Sequence, residues 1–314
     1  MNATDISFPG LGIYLKDVPK TFHIGNFSIA MYGIIIAIAV LAGLYIATYI
    51  AKKTGQNDDL YWGFAIFEII FGFAGARIYF VICSWDYYKD NFWSVFNLRQ
   101  GGIAIYGGVI AAFITLFIYC KVKKLNPFVL GDTAIPALIL GQAIGRWGNF
   151  FNREVFGQFS DNFLAMRLPV AAVRRVDISA DLAAHMAELG VSDYIQVHPT
   201  FLYESVWNLL VFALLMFMIK RKAFHGELCL IYFAGYGVGR FWIEGIRTDQ
   251  LKIPHTTIPI SQVVAIVLIV VAIVGEIGCR VMIKKNTLPK CFRHKKDEAW
   301  TDDGKAYVAP AKKE

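Results

Sequence analysis

Apolar runs close to 20 residues long alternate with short polar connections along this chain of 314 residues. A helix of about 20 mostly apolar residues crosses the ~30 Å hydrocarbon core of a bilayer. Seven stretches meet that standard, at roughly 27–51, 59–83, 103–120, 127–146, 200–219, 226–244 and 258–283. The pattern predicts an all-α polytopic membrane protein with about seven transmembrane helices. The first twenty-six residues are mixed in polarity and carry no basic start followed by an apolar core. No removable signal peptide is expected, and the first span serves as its own insertion signal.

Basic residues fix the expected orientation. Lys52 and Lys53 follow the first span, Lys121, Lys123 and Lys124 the third, and Lys220, Arg221 and Lys222 the fifth. Lys284, Lys285, Lys290, Arg293, Lys295 and Lys296 follow the seventh. These clusters fall on alternate connections, and the excess of Lys and Arg marks the cytoplasmic side. The N-terminus is then outside and the C-terminus inside, which an odd number of spans satisfies. Between spans four and five, an extracytoplasmic insertion at about 158–197 holds a short helix near 178–189, entered through Asp177 and Ser179 and stopped by Gly190. Aromatic residues at 84–102, among them Trp85, Tyr87, Tyr88 and Trp93, suit a headgroup interface.

Composition agrees with the pattern. Apolar residues make up 56% and charged residues 18%, against roughly 45–50% and about 25% in soluble domains. That excludes a disordered chain and argues against a soluble enzyme. The net charge of +7 is accounted for by the topology-setting clusters, so no nucleic-acid partner is expected. Five scattered cysteines, with no CxxC pair, give neither a disulfide framework nor a zinc site. No metal or other cofactor is expected.

Ionisable residues within spans are costly and point to function. They are Glu68, Arg77, Asp132, Arg146, Glu204, Arg240 and Glu244. Tyr236, Arg240 and Glu244 recur every four residues and form one helical stripe, with Arg247 nearly on it. Gly235 and Gly239 allow a neighbouring helix to approach on an adjacent face. Residues 145–157, GRWGNFFNREVFG, are too polar for lipid and too apolar for a free loop, as expected of a segment lining a watery cavity. Residues 99–108, RQGGIAIYGG, place two Gly-Gly pairs around a short apolar run. These three segments lie at the same ends of spans three, four and six, and are expected to converge. Fixed positive charge from Arg146 and Arg240, beside carboxylates and amides, suits an anionic headgroup whose tails stay in lipid.

Residues 145–157 resemble the signature of the prolipoprotein diacylglyceryl transferases. The 99–108 segment, HPTFLYE at 198–204, YGVGRFWIEGIRTD at 236–249 and Met31-Tyr32-Gly33 are similar to further blocks of that family, in its order. The resemblance covers roughly 25–280. It implies transfer of diacylglycerol from phosphatidylglycerol to the lipobox cysteine of a lipoprotein precursor that still carries its signal peptide. The products are a thioether-linked lipid and glycerol 1-phosphate. It also implies a bacterial cytoplasmic membrane; the span pattern gives a single transmembrane catalytic domain over 1–285, and the polar composition of 286–314 gives a disordered cytoplasmic tail. Arg146, Asn149, Asn152, Glu154 and Gly157 belong to the signature, Tyr236, Arg240 and Glu244 to the later block, and Tyr32 to the first. On this reading Arg146 and Arg240 hold the phosphate, while Glu244 fixes Arg240 or acts as base. Asn149 and Asn152 bind glycerol hydroxyls or the acceptor backbone, and Tyr106, Gly107 and Gly108 complete the site. Tyr106 departs from the family, whose members carry a His there as the usual general-base candidate. Tyrosine is a weak base at neutral pH but a good donor, and His198 is another candidate base. A secondary transporter for an anionic solute is the alternative, though no internal repeat of the kind common in transporters is visible.

Overall fold

The computed structural model describes residues 2–25, 27–90, 92–97 and 101–294. Arg99, Gln100 and the tail over 295–314 lie outside the described residues. Helices dominate: α1 (Met31–Lys53), α2 (Asp59–Cys83), α3 (Trp85–Tyr88), α4 (Ile105–Lys123), α5 (Pro127–Asn152), α6 (Ala180–Glu188), α7 (Thr200–Met218), α8 (Glu227–Gly245) and α9 (Ile260–Lys284). Six of them, α1, α2, α4, α5, α7 and α9, are long and apolar enough to cross a membrane. The protein is a multi-pass, mostly helical membrane protein. Helix α8 stands where the remaining span is expected, but Glu227, Arg240, Glu244 and its glycines leave it too polar to join that set. Outward-facing Ile66, Ile70 and Phe73 on α2 and Val267, Val270 and Val274 on α9 are exposed. Such a surface is costly in water and at ease among acyl chains.

The hydropathy pattern does not anticipate strands, yet short ones are present. β1 (Ile6–Phe8), β2 (Ile13–Leu15), β3 (Thr21–Ile24), β4 (Phe27–Ala30), β5 (Met166–Pro169) and β6 (Tyr194–Val197) make two small antiparallel sheets. The larger has the order β2-β1-β5-β6, with Ser7 opposite Arg167. Strands β3 and β4 pair as a hairpin leading into α1.

The chain packs into two compact units. The first comprises residues 1–43, 135–222 and 227–288. Its sheet buries Ile6, Phe8, Leu168, Ile195 and Val197 against Phe150, Phe156 and Phe201. Helix α6 begins as expected, with Ser179 Oγ accepting from the Leu182 amide at 3.2 Å, and Gly190 follows it in the left-handed conformation (φ +65°). Within this unit α1 and α5 run antiparallel along small residues: Gly141 lies opposite Ala39, Gly145 opposite Ile36 and Gly148 opposite Tyr32. Helix α8 packs between α7 and α9. Trp207 of α7 lies against Gly239 and donates from Nε1 to the Gly235 carbonyl at 2.8 Å. The close approach expected of the Gly235–Gly239 spacing is thus present.

The second unit comprises residues 44–134, 223–226 and 289–314. Helices α2 and α4 cross where Gly75 meets Gly107, and a Cβ on Gly107 would overlap the Gly75 carbonyl and the Tyr79 side chain. Arg77, singled out by its intramembrane charge, has a structural task here. Its Nε donates to Val95 O, Nη1 to Gly101 O and Gly102 O, and Nη2 to Ser94 O and Asn97 O, at 2.7–3.2 Å. Helix α4 then opens at Ile105, and half-buried Tyr106 is followed by Gly107 and Gly108. Of the polar tail, the segment Lys290–Phe292 forms a 3-10 turn. The Phe292 ring lies 4.2 Å from that of Phe128, and Asn126 Nδ2 donates to Cys291 O at 2.6 Å.

Candidate functional site

Helix α5 continues past the expected boundary at 146 to Asn152, so the first half of the GRWGNFFNREVFG segment is helical. Arg146, Asn149 and Asn152 follow at steps of three and share a face. The site grows from this face and from the facing ends of α7 and α8, all within the first unit.

Glu204, in the first turns of α7, is its centre. Its Oε1 lies 2.5 Å from Arg146 Nη2 and 3.5 Å from Arg240 Nη1. Arg240 also pairs through Nη2 with Glu244 Oε2 at 2.6 Å, one turn along α8. Glu244 in turn lies 3.4 Å from Arg247 Nη1. Arg247 is held by a two-pronged contact with Asp249, Nε to Oδ1 and Nη2 to Oδ2, both at 3.0 Å. Three guanidiniums thus face three carboxylates. The Glu204 and Glu244 side chains are only 3% and 2% exposed, where uncompensated charge would be costly. Burial works against the charge of Arg247, but Asp249, Glu244 and Glu204 more than offset it and its pKa is raised. The stripe of Tyr236, Arg240 and Glu244 is present as expected, and Tyr236 stacks on Tyr232 with ring centres 5.5 Å apart.

Alignment within the cluster is incomplete. Both Glu204 oxygens and Arg240 Nη1 are buried without a hydrogen-bond partner of good geometry. Buried polar groups are normally satisfied, so the arginines retain donor capacity that a bound anion could use. Ser261 Oγ accepts weakly from Arg240 Nη2 at 3.4 Å.

Beyond Asn152 the chain turns sharply. Arg153 and Val155 both have positive φ, +55° and +59°, a costly conformation for a β-branched residue. Three contacts hold it. Gly157 N donates to His198 O at 3.0 Å, Gln158 N donates to Ile246 O at 2.8 Å, and Thr200 Oγ1 donates to Val155 O. Gly157 has to be glycine because a Cβ would lie 2.8 Å from His198 Cβ and 2.9 Å from Ile246 O. The turn aims Glu154 back at the helix end, where its Oε1 accepts from Asn149 Nδ2 at 3.0 Å and Asn152 Nδ2 at 3.3 Å. Tyr32 lies against Gly148, whose Cβ would come within 2.6 Å of the Tyr32 ring. His198 sits outside the spans beside Tyr203 and Asn162, and burial lowers its pKa despite the opposing pull of Asp161.

Arg146, Arg240 and Glu244 therefore come together, as do Asn149, Asn152 and Glu154, with Gly157 bracing the turn. Tyr106, Gly107 and Gly108 belong to the second unit. Glu204 is the residue to which sequence reasoning gave no role in the site. It was visible as an intramembrane carboxylate in HPTFLYE, but nothing local to it reveals two arginines from other helices. Asp249 was legible only as a carboxylate two residues after Arg247. Among the described residues, no three His, Cys, Asp or Glu side chains are arranged to hold a metal ion.

Comparison with known proteins gives a consistent result. A family model described as prolipoprotein diacylglyceryl transferase matches residues 19–277. A phosphatidylglycerol–prolipoprotein diacylglyceryl transferase of Staphylococcus haemolyticus (strain JCSC1435) is 41% identical over 258 residues, covering 82% of this chain and 86% of the relative. Proteins of the same description from Staphylococcus aureus strains bovine RF122 / ET3-1 and Newman are 41% and 40% identical over 257 residues, covering 81% of this chain and 86% of each relative.

Proposed function

This chain belongs to the prolipoprotein diacylglyceryl transferase family, and from that premise we propose that the arginine–carboxylate cluster is its catalytic centre. The protein is a membrane transferase that moves the diacylglyceryl group of phosphatidylglycerol to a lipoprotein precursor. The acceptor is the lipobox cysteine, presented next to an apolar signal segment that lies in the bilayer. In the reaction a C–S bond forms at the glycerol carbon and the C–O bond to phosphate breaks. The thiol proton passes to water, and glycerol 1-phosphate leaves with the electron pair of the broken C–O bond.

The observation behind this reading is the convergence of Arg146 from α5 and Arg240 from α8 on one buried carboxylate. Negative charge grows on the departing phosphate, and fixed guanidiniums aimed there lower the barrier. Arg146 and Arg240 take that role. Glu244, held between Arg240 and Arg247, orients Arg240. The same positive field favours the cysteine thiolate, which is the reactive form. Asn149, Asn152 and Glu154 bind the glycerol hydroxyls or the acceptor backbone, and Tyr32 and Tyr236 flank the lipid. Tyr106 is read as a hydrogen-bond donor to substrate, whereas Gly107 and Gly108 face α2, where a Cβ on Gly107 would overlap the Gly75 carbonyl. No metal or cofactor takes part.

Residues 1–285 act as one catalytic domain in the bacterial cytoplasmic membrane. Helix α8 crosses with the other six, its charges neutralised within the protein. The N-terminus and the 158–197 insertion face outward and the C-terminal tail faces the cytoplasm. A reporter after Lys222 is expected inside and one near Ser192 outside; both on one side would refute this topology. The function is tested by incubating purified protein with phosphatidylglycerol and a lipobox peptide. Mass spectrometry should show the peptide gaining one diacylglyceryl group, lost when its cysteine is replaced by serine. An unmodified peptide with folded protein would refute the reading.

A further inference from the structure

A polar cavity of about 290 Å³ opens beside the signature turn, lined by Lys20, Asn152, Arg153, Glu154, Ala172, Val173 and Arg174. Every lining residue but Asn152, the last of α5, lies outside the helices that cross the membrane. We propose that this cavity is a binding site for a glycerophosphate anion, occupied by the glycerol 1-phosphate that leaves the catalytic centre. The inference rests on the transferase reading above.

Three observations carry it. First, the charge balance favours an anion: Lys20, Arg153 and Arg174 line the cavity against the single carboxylate of Glu154. Second, donors are available. Lys20 Nζ uses one hydrogen on Ala172 O at 2.8 Å and retains two. Arg174 pairs through Nε and Nη2 with Asp177, leaving Nη1 free of that contact. Arg153 is 2% exposed and gives its Nη groups to the carbonyls of Phe151, Thr4 and Val18, yet its Nε is buried without a partner. Its guanidinium therefore stands in the wall as fixed positive charge. Third, Asn152 and Glu154 are shared with the catalytic centre, where Glu154 also holds Asn149. The same side chains that meet glycerol hydroxyls in the reaction therefore line the next space outward. At about 290 Å³ the cavity is at the small end for ligand sites, suited to a headgroup-sized ion and too small for a lipid with its chains.

The test is calorimetric titration of sn-glycerol 1-phosphate into the purified full-length protein in a neutral detergent, which requires no turnover. Binding to the wild type is expected, weakened tenfold or more by Lys20→Glu and by Arg174→Gln. Lys20 is exposed, so its replacement leaves the fold intact even if loss of Arg174 disturbs Asp177. Retained binding in the Lys20→Glu and Arg174→Gln proteins would overturn the proposal. Repeating the titration with phosphatidylglycerol in the micelle separates the two sources of this chemistry. Binding that persists assigns the cavity to the free product, whereas binding abolished by the lipid would assign it to the lipid headgroup and overturn the product role. Inorganic phosphate binding as tightly as the glycerol ester would likewise overturn it, as Asn152 and Glu154 would then recognise nothing. Absence of transfer in the separate peptide assay, with product binding intact, would instead count against the transferase reading.

Discussion

Replacing Glu204 by glutamine removes one charge while keeping the side chain's shape, and the cluster then has three guanidiniums facing two carboxylates. At an effective dielectric of about 20, a unit pair at the 2.5 Å separation from Arg146 is worth ~7 kcal/mol, and one at the 3.5 Å separation from Arg240 ~5 kcal/mol. Desolvation of all three groups offsets much of that gross attraction. Removing one partner of a buried pair costs about 3–5 kcal/mol net. Expressed wholly in the transition state, that is a roughly 150- to 5,000-fold loss of kcat/KM. The assay is the initial rate of peptide lipidation in detergent, read beside the melting temperature of the same preparation. Glu204→Asp, which keeps the charge on a shorter stem, should recover part of the rate. If Glu204→Gln transfers within threefold of the wild type and melts at the same temperature, Glu204 does not organise the arginines, and their convergence on it has no functional weight.

Other outcomes follow from the same geometry. Tyr106→Phe should lower the rate roughly tenfold to hundredfold, the scale of about 1–3 kcal/mol for one lost buried partner, while Tyr106→His should transfer. A folded but inactive Phe variant would refute the donor role. Arg146→Lys keeps the charge but loses the planar fork, and should abolish most transfer at normal expression; near-normal activity would reduce Arg146 to a helix-end anchor. Gly148→Ala drives a methyl into the Tyr32 ring and should destabilise by about 1–3 kcal/mol, as overpacking does; an unchanged melting temperature would show that the α1–α5 contact yields freely. Burial lowers the pKa of His198, so its neutral form stabilises the fold above the ordinary histidine pKa of about 6.5, and this is lost as pH falls through the lowered value. Melting temperatures from pH 7.5 to 5 should therefore fall less in His198→Gln than in the wild type, and parallel curves would refute the assignment.

The long helices were legible because period and length are local properties. Their starts match the hydropathy pattern to within about four residues at Met31, Asp59, Ile105, Pro127, Thr200 and Ile260. The stripe from Tyr236 to Glu244 was legible for the same reason, as was the cap of α6 at Ser179. What escaped depends on partners far away in the chain. Strand β1 has only three residues, and Ser7 pairs with Arg167, so nothing in its own sequence demands a strand. The end of α5 was misjudged because Arg146, Asn149 and Asn152 look like a loop to hydropathy, although Arg146 pairs with Glu204 and the two amides donate to Glu154. Arg77 carried a functional signal by its charge alone, and five carbonyls explain it instead. Glu204 stood in a recognisable motif, but its role lies in two helices that its neighbours in sequence do not mention.

The β1–β5 pairing also has a consequence in time. Residues 4–18 supply the Thr4 and Val18 carbonyls that hold Arg153, and β1 supplies a central strand of the sheet. They are synthesised some 160 residues ahead of their partners, as the pairing of Ser7 with Arg167 shows. At roughly 5–20 residues per second, β1 has its neighbour β2 at once but waits about 8–30 s for β5, while α1, α2, α4 and α5 are laid into the bilayer. During synthesis these early residues are thus secured late. A protease or a competing strand meeting the chain in that interval would find an open edge that the finished protein no longer offers.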